Sequence, residues 1–373
     1  MCKILTYGEI DREDWSNLVA SSSTGTWFQM PEAYEFFASM PELFKPFVVA
    51  ISNEAPLSGA QHSINPSLQT LRAVCIGYVT VEKNPIKQFF TRRAIILGGP
   101  ALADDASSEE VEALMIAVKN LPSLQGGDEG RLPSPIYIET RNFNDYSRWK
   151  NAFSAAGFDY QQHLNFHVDC ADKEAMWERL SENRKRQIKK GKPNPSPSLK
   201  GRDVSEADIR EWYAILAELY RTKVKTPLWP VEFFLEAYRQ GVGQFLLVRH
   251  EGKVIGGSMV VEWKKSSIIN HQSSINAKGV VYEWFECGMN TQHKDQFPSV
   301  LATWAGMQFA QQTGCDRYDM MGAGEPGVPY GVRDFKSEFG GDLVEHGRFL
   351  HVGKPLMYWL GKAAIKILKA KSN

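Results

Sequence analysis

The two halves of the sequence repeat one order of predicted strands and helices. In the first half, the predicted strand Phe47–Ser52 precedes a polar loop and a second predicted strand, Cys75–Glu82. In the second half, Phe245–Lys253 leads directly into Val254–Glu262. Both second strands contain Ile-Gly near their start and end with Glu. Apolar runs of this length, separated by polar residues, predict a strand, a turn and a strand in each half.

The repetition continues downstream of these strands. The first half adds, in order, the predicted strand Ala94–Leu102, the helix Ser108–Leu121, the strand Ile136–Arg141, the helix Tyr146–Ala156 and the strand Phe158–Val168. The second half adds the strand Val280–Gly288, a helix from Pro298 to Gly314, the strand Arg317–Met321, a helical turn that ends at Gly340-Gly341, and the strand Asp342–Val352. Chance similarity among short strands is the alternative explanation, but the shared order favours a duplicated α+β domain.

Composition narrows the class of protein. The chain has 373 residues, enough for two domains. Its 43 basic and 43 acidic residues give a formal net charge of +0, which argues against a protein devoted wholly to nucleic acid. The five scattered cysteines show no CxxC spacing, so neither a zinc site nor a disulfide framework is indicated. With no signal-peptide pattern and no apolar run of about 18 residues, we expect a cytoplasmic protein.

A helical insert separates the two halves. Asp172 is a predicted N-cap for a helix over Lys173–Lys190 that ends at Gly191. The following segment, Lys192–Gly201, is rich in proline and serine and is predicted to be an exposed loop. Ser205–Asp208 forms a capping box for a second helix, which Thr226-Pro227 ends.

Basic residues cluster at the end of the first insert helix. Six cations occupy nine positions: Arg184, Lys185, Arg186, Lys189, Lys190 and Lys192. The helix dipole favours cations at a helix C-terminus, so a solvated face is one explanation. A surface that contacts the phosphates of RNA or of a sugar diphosphate is the other, and Arg221, Lys223 and Lys225 would enlarge it.

A second basic run lies at the end of the chain. Lys362, Lys366, Lys369 and Lys371 are placed by helical spacing opposite Trp359, Leu360, Ile365 and Leu368. Such a helix could contact an anionic membrane surface. Packing of its apolar side on the first domain is the interpretation that we favour from the sequence.

The most unusual segment is YDMMGAGEPGVPYGVRDFKSEFGG, Tyr318–Gly341. Its six glycines permit positive φ angles or a close approach of the backbone to a ligand. It matches neither GxGxxG nor the P-loop pattern. It predicts instead a lysine, Lys336, held between Phe335 and Phe339. That lysine would suit stabilisation of an oxyanion during acyl transfer, or it would cover apolar surface with its ammonium in water, and the spacing does not choose between them.

One expected feature of CoA-dependent enzymes is absent. In CoA-dependent acetyltransferases of the GNAT superfamily, a glycine-rich turn opens a helix whose backbone N–H groups hold the pyrophosphate. The corresponding segment here, Cys287–Trp304, has no glycine-rich turn after Gly288, although Lys294 and the helix start could attract an anion. HExxH and GxSxG are also absent, so metalloenzyme and hydrolase interpretations are weak.

Four segments of the sequence resemble the FemABX family. They are FQMPEAYEFF, LSENRKRQIKKG, LATWAGMQFAQQTGCDRYDMMGAG and, most specifically, YGVRDFKSEFGG. The resemblance covers essentially the whole chain and implies two tandem GNAT-like domains, each a central mixed sheet flanked by helices. Residues 1–166, joined by the C-terminal helix 353–373, would form the first domain, and 167–352 would form the second, which carries the active cleft. The insert is short, so the chain is similar to the compact members without a coiled-coil arm.

The resemblance implies an aminoacyltransferase that moves an amino acid from aminoacyl-tRNA to an amine of a UDP-linked or lipid-linked peptidoglycan precursor. It implies no cofactor beyond the aminoacyl-tRNA co-substrate, and we expect a monomer. The family's FK lysine falls on Lys336, and an ungapped overlay of 152–168 on 336–352 places Ala152 opposite it, so only the second domain is expected to be catalytic. The residues expected to contact tRNA are Arg184, Lys185, Arg186, Lys189 and Lys190.

Substrate contacts are expected from Arg333 and Tyr330 in the loop, and from Phe37, Trp229, Lys223 and Lys225. Two of these positions depart from the family pattern. The early motif of this chain continues as Tyr34-Glu-Phe-Phe37 and lacks a lysine that helps to bind the precursor's diphosphate, and Trp229 stands where an arginine shares that role. Lys223, Lys225 and Arg333 could substitute, or the acceptor is not a UDP-linked precursor.

Two rival functions remain. One is an N-acyltransferase that uses an acyl-CoA or another thioester on an amino sugar or small amine. The other is a binding protein that has lost catalysis. No general base is identified by the sequence, and Asp319 and Glu325 are candidates by proximity only.

Overall fold

A computed structural model describes residues 2–54, 69–82, 91–121, 134–191, 204–265 and 279–370. The described residues up to Gln162 and from His346 onward form one compact unit, and those from His163 to Glu345 form another. Each unit is a mixed β-sheet with flanking helices, which confirms the predicted α+β class and its duplication. The division differs by a few residues from the predicted boundaries because Leu164–Asp169 joins the second sheet and Arg348–Val352 joins the first.

The helices and strands up to residue 162 belong to the first unit. They are β1 (Cys2–Thr6), α1 (Arg12–Ser21), α2 (Pro31–Ala38), β2 (Phe44–Glu54), β3 (Gln69–Thr80), β4 (Arg93–Gly98), β5 (Ala101–Leu102), α3 (Ser108–Lys119), β6 (Tyr137–Asn142), α4 (Lys150–Ala155) and β7 (Asp159–Gln161).

The rest of the chain forms the second unit and then returns to the first with β14 and α11. The elements are β8 (Leu164–Asp169), α5 (Lys173–Glu178), α6 (Glu182–Lys190), α7 (Glu206–Leu219), α8 (Val231–Arg239), β9 (Gln244–His250), β10 (Lys253–Lys264), β11 (Gly279–Gly288), α9 (Pro298–Gln312), β12 (Arg317–Asp319), α10 (Gly331–Ser337), β13 (Asp342–Glu345), β14 (Arg348–Val352) and α11 (Pro355–Ala370).

The two sheets share one strand order. The first runs β1-β2-β3-β4-β6-β14-β7, with β5 paired to β3, and the second runs β9-β10-β11-β12-β8-β13. In each sheet an antiparallel pair, β2–β3 or β9–β10, is followed by a parallel pair, β4–β6 or β11–β12. The helix that joins each parallel pair is α3 or α9. Helix α9 is apolar nearly all round, and most of its residues are accordingly buried in the second core.

Each sheet receives one strand from the other half of the chain. Strand β14 pairs with β6 and β7, whereas β8 pairs with β12 and β13. The predictions of single strands over Phe158–Val168 and Asp342–Val352 are therefore wrong, because each segment forms two strands. The polar residues Gln162-His163 and His346-Gly347 separate them, and Gly347 has a φ of 63°. An apolar pattern alone does not show that a chain changes sheets.

A buried glutamine joins β3 to β4 in the first unit. These strands pair directly at only two positions. Beyond them, Nε2 of Gln29 donates to the carbonyl oxygens of Ile76 (3.1 Å) and Leu97 (3.0 Å), and its Oε1 accepts from the Ile76 N–H at 2.7 Å. Gln29 is fully buried, so each of these bonds satisfies a group that water cannot reach. The FQM motif is therefore structural in this unit.

The prediction of one continuous helix over Lys173–Lys190 is wrong. It is broken into α5 and α6, and Ser181 is the N-cap of the second helix, accepting from the N–H of Arg184 at 3.1 Å. The N–H of Ser181 donates to the carbonyl oxygen of Glu338 at 2.9 Å. Gly340, with a φ of 75°, packs against the carbonyl of Arg179, where a Cβ atom would overlap. The break lets α10 and its following turn lie against this corner.

The second insert helix is confirmed. Helix α7 starts at the capping box of Ser205 and Asp208. It continues as a wider turn over Tyr220–Val224 and stops at Lys225, whose φ of 55° is left-handed. Across the part of the chain that the structure describes, no helix has both the length and the apolar character needed to cross a bilayer.

Candidate functional site

Strand β11 has a β12 partner along only part of its length. It pairs with β10 as far as Gly288 but with β12 only over Val280–Tyr282. Within the described residues, the stretch Glu283–Gly288 therefore has one edge without a strand partner. The equivalent pair in the first unit, β4–β6, is joined at six successive residue pairs. The opening between parallel strands is thus a feature of the second unit, and parallel strands that separate in this way leave room for a ligand.

A β-bulge in β11 determines which side chains line this stretch. The register with β10 shifts so that Trp284 is an extra residue between Glu283 and Phe285. The rings of Trp284 and Phe285 then lie on one face, with centroids 5.4 and 6.2 Å from the ring of Phe233 in α8. Glu283 and Glu286, three residues apart, are left together on the opposite face. A regular strand would separate them, because its side chains alternate.

Both glutamates face helix α9. Oε1 of Glu283 accepts from Thr303 Oγ1 at 3.1 Å and from the Tyr318 hydroxyl at 2.7 Å. Glu286 hydrogen-bonds to Ser299. Ser299 and Thr303 are one helical turn apart, so α9 presents both hydroxyls on one side.

The environment of the two glutamates favours their protonated forms. Burial, followed by the charge of Glu283, raises the pKa of Glu286 to about 8. Burial also raises the pKa of Glu283, although the charge of Lys336 and the Tyr318 hydrogen bond oppose it. Oε1 of Glu286 is buried and accepts no hydrogen bond from the described residues. A carboxyl group with an unused oxygen and a pKa near neutrality can exchange a proton with a substrate.

Lys336 is buried at the end of α10, beside these carboxylates. Its Nζ donates to the carbonyl oxygens of Met320, Met321 (3.0 Å) and Gly322 (2.9 Å). The carbonyls converge because Met321 and Gly322 have φ angles of 48° and 76°. Burial lowers the pKa of Lys336, and the charge of Glu283 is the largest effect opposing it. All three N–H donors of the ammonium are used, so a hydrogen bond to a substrate oxygen would require one carbonyl to be exchanged.

The prediction that Phe335 and Phe339 hold Lys336 is wrong, because Arg184 occupies that place. The Arg184 guanidinium lies 4.5 and 5.0 Å from the centroids of the two rings and donates to the carbonyl oxygen of Phe335 at 3.2 Å. Only 5% of Arg184 is exposed. In this geometry Arg184 stabilises the junction of α6 and α10 and is not presented to tRNA.

The other four predicted tRNA contacts lie on α6 with different degrees of exposure. Lys185 is partly buried and pairs with Glu182 at 2.8 Å. Lys190 pairs with Asp295 at 2.7 Å. The exposed members are Arg186, Lys189 and Lys190. The basic surface is therefore smaller than the sequence indicates.

Arg333 and Tyr330 lie with Lys336 around the same loop. Nε of Arg333 donates to the carbonyl oxygen of Ala323 at 2.8 Å, and Nη2 donates to that of Glu325. The ring of Tyr330 packs beside Gly324, whose φ is 77° and whose absent Cβ would lie 2.9 Å from it. Two cations thus hold successive parts of one loop, and Tyr330 remains 43% exposed at its edge.

The two candidate bases named from the sequence have different surroundings. Asp319 is fully buried, and its Oδ1 accepts from Asn165 Nδ2 (2.7 Å) and from the Met321 N–H (2.9 Å). Oδ2 lies 3.1 Å from His167 Nε2. Burial would raise the pKa of Asp319, but the charge and hydrogen bond of His167 prevail and lower it to about 2. Asp319 is therefore a poor base near neutrality, and Glu325 is exposed.

Three further predicted contacts lie between α7 and α8. The Tyr213 hydroxyl donates to the carbonyl oxygen of Trp229 at 3.2 Å, and the Trp229 ring lies 6.2 Å from that of Phe233. Since Phe233 also contacts Trp284, Trp229 is on the α8 face of the bulge, opposite the glutamates. Lys223 is exposed and Lys225 half-buried in the turn that ends α7.

Phe37, a predicted substrate contact, lies in the core of the first unit. Only 2% of its surface is exposed, and its ring packs against those of Phe36, Phe44 and Tyr78. An interior side chain with this packing is not available for a substrate contact.

The start of helix α9 is occupied by residues of the chain itself. Pro298 has no N–H, and the N–H of Ser299 donates to Asn290 Oδ1 at 3.2 Å. Asn290 Nδ2 donates in turn to Ser299 Oγ at 2.7 Å. A Cβ on Gly288 would lie 2.7 Å from the Ser299 nitrogen, so β11 packs closely against this end of the helix. A helix N-terminus binds an anion through free N–H groups, and its first two residues, Pro298 and Ser299, offer none.

Sequence reasoning missed Glu283 and Glu286. The available signal was the presence of two carboxylates inside VVYEWFECG, a strand whose other residues are mostly apolar. Charged residues in a strand covered on both faces are rarely buried without a purpose. The missing element was the bulge at Trp284, which the pattern does not reveal.

Comparison with known proteins agrees with this architecture. Residues 275–366 match the sequence model of the FemAB family. The crystal structure of FemX is similar to this chain with a TM-score of 0.58 and 11% identity, over 96% of this chain and 99% of that one. No curated protein sequence matches the chain.

Two further solved structures are similar at lower TM-scores. One is the C-terminal domain of a putative lysylphosphatidylglycerol synthetase from Agrobacterium fabrum, with a TM-score of 0.46 and 10% identity over 79% of this chain and 85% of that one. The other is a GCN5-related N-acetyltransferase from Sphaerobacter thermophilus, with a TM-score of 0.41 and 11% identity over 94% of each chain. The part of the chain that carries Lys336 thus matches the FemAB family in sequence, and the chain as a whole shares its fold with FemX.

Proposed function

We propose that this protein is an aminoacyltransferase that moves an amino acid from aminoacyl-tRNA to an amine of a peptidoglycan precursor. The observation that carries the proposal is Glu286, a partly exposed residue in the opening of β11 whose Oε1 atom is buried and unused and whose pKa is raised to about 8. The match of residues 275–366 to the FemAB family supports the reaction class. The geometry supplies a residue that can perform the proton transfer this reaction needs.

The proposed reaction forms one bond and breaks one. The amine nitrogen of the acceptor attacks the ester carbonyl carbon of the charged tRNA, a C–N bond forms, and the ester C–O bond breaks. Glu286 accepts the proton that the attacking amine loses, and the leaving ribose oxygen of the tRNA takes up a proton to become a hydroxyl. A base whose pKa lies near the working pH does this most efficiently. The ester is already activated, so positioning rather than a covalent enzyme intermediate is sufficient.

Lys336 is proposed to act as a positioning residue. Its ammonium binds three carbonyls of the loop that follows β12, and it stands near the charges of Glu283 and Glu286. The positive charge of Lys336 limits how far burial raises the pKa of Glu283 and of Glu286. The sequence-based hypothesis of direct contact with the oxyanion stays a prediction, because it requires Lys336 to release a carbonyl.

The start of α9 favours charged tRNA over CoA as the acyl donor. The N–H of Ser299 donates to Asn290 Oδ1, at the position where CoA-dependent GNAT enzymes bind pyrophosphate. The alternative, an N-acyltransferase that uses an acyl-CoA or another thioester, would need Asn290 to move. The exposed cations Arg186, Lys189 and Lys190 are the proposed tRNA contact, and a charged-tRNA donor implies a cytoplasmic reaction.

Mass spectrometry of the acceptor tests the proposal. The protein would be incubated with a mixture of charged tRNAs and with either a UDP-linked or a lipid-linked peptidoglycan precursor. We expect the mass of one of these precursors to increase by that of an amino-acid residue. A parallel reaction with acetyl-CoA in place of charged tRNA should leave both precursors unchanged. A gain of an acetyl group instead would contradict the proposal and favour the CoA-dependent alternative.

A further inference from the structure

The C-terminal helix leaves an apolar strip exposed. Leu356, Trp359 and Leu360 are 74%, 75% and 54% exposed. Their spacing of three and four residues places them on one side of α11. Exposed large apolar side chains are ordinary when single, but three in adjacent turns of one helix indicate a contact surface.

The opposite side of the helix packs on the first unit. The ring of Tyr358 lies 5.4 Å from that of Tyr137 in β6, in an edge-to-face arrangement. The N–H of Tyr358 donates to the carbonyl oxygen of Lys354 at 3.0 Å, so the first turn is regular. The helix is therefore held by one face. The expectation that its apolar side packs on the first domain is wrong for Trp359 and Leu360, and the side chains of Ile365 and Leu368 lie outside the described part of the chain.

The charge of this segment has one sign. Residues 353–373 contain five lysines and no aspartate or glutamate. They are Lys354, Lys362, Lys366, Lys369 and Lys371. The chain as a whole has a net charge of +0, so this segment stands out from its surroundings. An exposed apolar strip that includes tryptophan, on a segment whose charged residues are all lysines, is complementary to the surface of a bilayer with anionic headgroups.

We propose that α11 docks this protein on an anionic phospholipid surface. Leu356, Trp359 and Leu360 enter the boundary between headgroups and acyl chains, and the lysines contact lipid phosphates. A second copy of the chain carries the same lysines on this segment, so like charges would oppose a symmetric contact through it. If the proposed function holds, and only then, membrane docking favours a lipid-linked acceptor over a UDP-linked one.

Co-sedimentation with vesicles tests the docking without any turnover, so its failure is distinct from a failure of the proposed function. The chain has ten tryptophans, which makes intrinsic fluorescence a poor readout. We expect binding to vesicles of phosphatidylglycerol and phosphatidylcholine, weaker binding at high salt, and little binding to phosphatidylcholine alone. Each lysine that contacts the surface contributes about fivefold in affinity.

Two variants separate the apolar and charged contributions. The combination Leu356→Ser, Trp359→Ser and Leu360→Ser should reduce binding at least about tenfold. The pair Lys362→Glu and Lys366→Glu should abolish the preference for anionic lipid. The matched control combines Ile4→Ser and Lys3→Glu on β1, where Ile4 is 41% exposed and Lys3 is exposed, and should bind like the wild type.

Three outcomes overturn the proposal. One is wild-type protein that stays in solution with anionic vesicles at low salt. Another is a serine variant that binds as well as the wild type. The third is a dimer in analytical ultracentrifugation that the serine variant dissociates, with no vesicle binding, which would assign the strip to a second copy of the chain.

Discussion

The Lys336 ammonium lies 2.9 Å from the carbonyl oxygen of Gly322 and 3.0 Å from that of Met321, where the chain leaves β12. The loop glycines and the left-handed Met321 aim these carbonyls at one point. The carbonyl oxygens of the bent backbone therefore bind the ammonium, and these hydrogen bonds in turn stabilise the bent conformation. The loop follows directly after Asp319. Lys336, which the loop carbonyls bind, lies near Glu283 and Glu286 of β11.

Lys336→Met should reduce both stability and transfer. The substitution leaves three carbonyls without their donor, and unsatisfied buried groups cost about 1–3 kcal/mol each when water cannot replace the donor. We expect a loss of about 3 kcal/mol or more in the free energy of unfolding, measured by urea denaturation. Lys185→Met, which removes a cation paired with Glu182, should cost less than about 1 kcal/mol. Equal stability of Lys336→Met and the wild type would show that the three carbonyl bonds are not formed in solution.

Glu286→Gln should change how stability depends on pH. The folded pKa of about 8 exceeds the reference value of 4.5, so the folded protein binds more protons than the unfolded chain between these values. The contribution of Glu286 to stability is therefore fully present below about pH 4.5 and is lost as pH rises to about 8. Glutamine carries no charge, so the variant should gain stability relative to the wild type over that window. Melting temperatures at several pH values measure this.

The control for that experiment is Glu262→Gln. Glu262 lies on the neighbouring strand β10, is partly exposed and pairs with Lys264 at 2.9 Å. The variant removes a carboxylate of the same sheet that is not enclosed, so any change that it shows with pH is subtracted from that of Glu286→Gln. A Glu286→Gln difference that is also flat would mean that the carboxyl group titrates normally and is not buried.

Gly340→Ala should destabilise the corner between α5 and α10 more than Gly327→Ala destabilises the loop. Both glycines have φ angles near 75°, at 75° and 72°, so both substitutions carry a backbone cost of about 1–2 kcal/mol. A Cβ at Gly327 meets open space, whereas one at Gly340 overlaps the carbonyl of Arg179. Overpacking adds about 1–3 kcal/mol to the loss in unfolding free energy at Gly340 alone. Equal losses would show that this corner opens easily.

Substitution of Arg184 should affect stability, whereas substitution of the exposed cations of α6 should affect tRNA binding. Arg184→Leu should lower the free energy of unfolding by about 2 kcal/mol, because it removes the contact with two rings and a bond to the Phe335 carbonyl. Arg186→Glu, Lys189→Glu and Lys190→Glu together should leave stability nearly unchanged but weaken tRNA binding and flatten its dependence on salt. Filter binding at several salt concentrations measures this, and an unchanged affinity would remove α6 from the tRNA interface.

The order of elements was predictable because hydrophobic runs and caps are local signals. The capping box at Ser205, the proline at the start of α9 and the glycine stop after α10 all confirm this. The exchange of β8 and β14 was not predictable, because pairing partners of short strands depend on contacts distant in sequence.

The candidate site was predictable only in part, for the same physical reason. The motif pointed to Lys336 and its loop, but the guanidinium beside Phe335 and Phe339 comes from Arg184, about 150 residues away in the chain. Glu286 depends on a bulge, and a one-residue shift in a ladder changes which face a side chain occupies. The pKa of that carboxyl group is then set by burial, which the sequence does not report.

The pH dependence of kcat/KM for aminoacyl transfer tests the central claim most directly. If Glu286 accepts the proton of the amine, the rate should rise with pH up to about 8 in the wild type. Glu286→Gln should lose this rise and be slower by a factor of about 10²–10⁴. A Glu286→Gln enzyme that keeps the wild-type rate and the same rise with pH would contradict the assignment of Glu286 as the base.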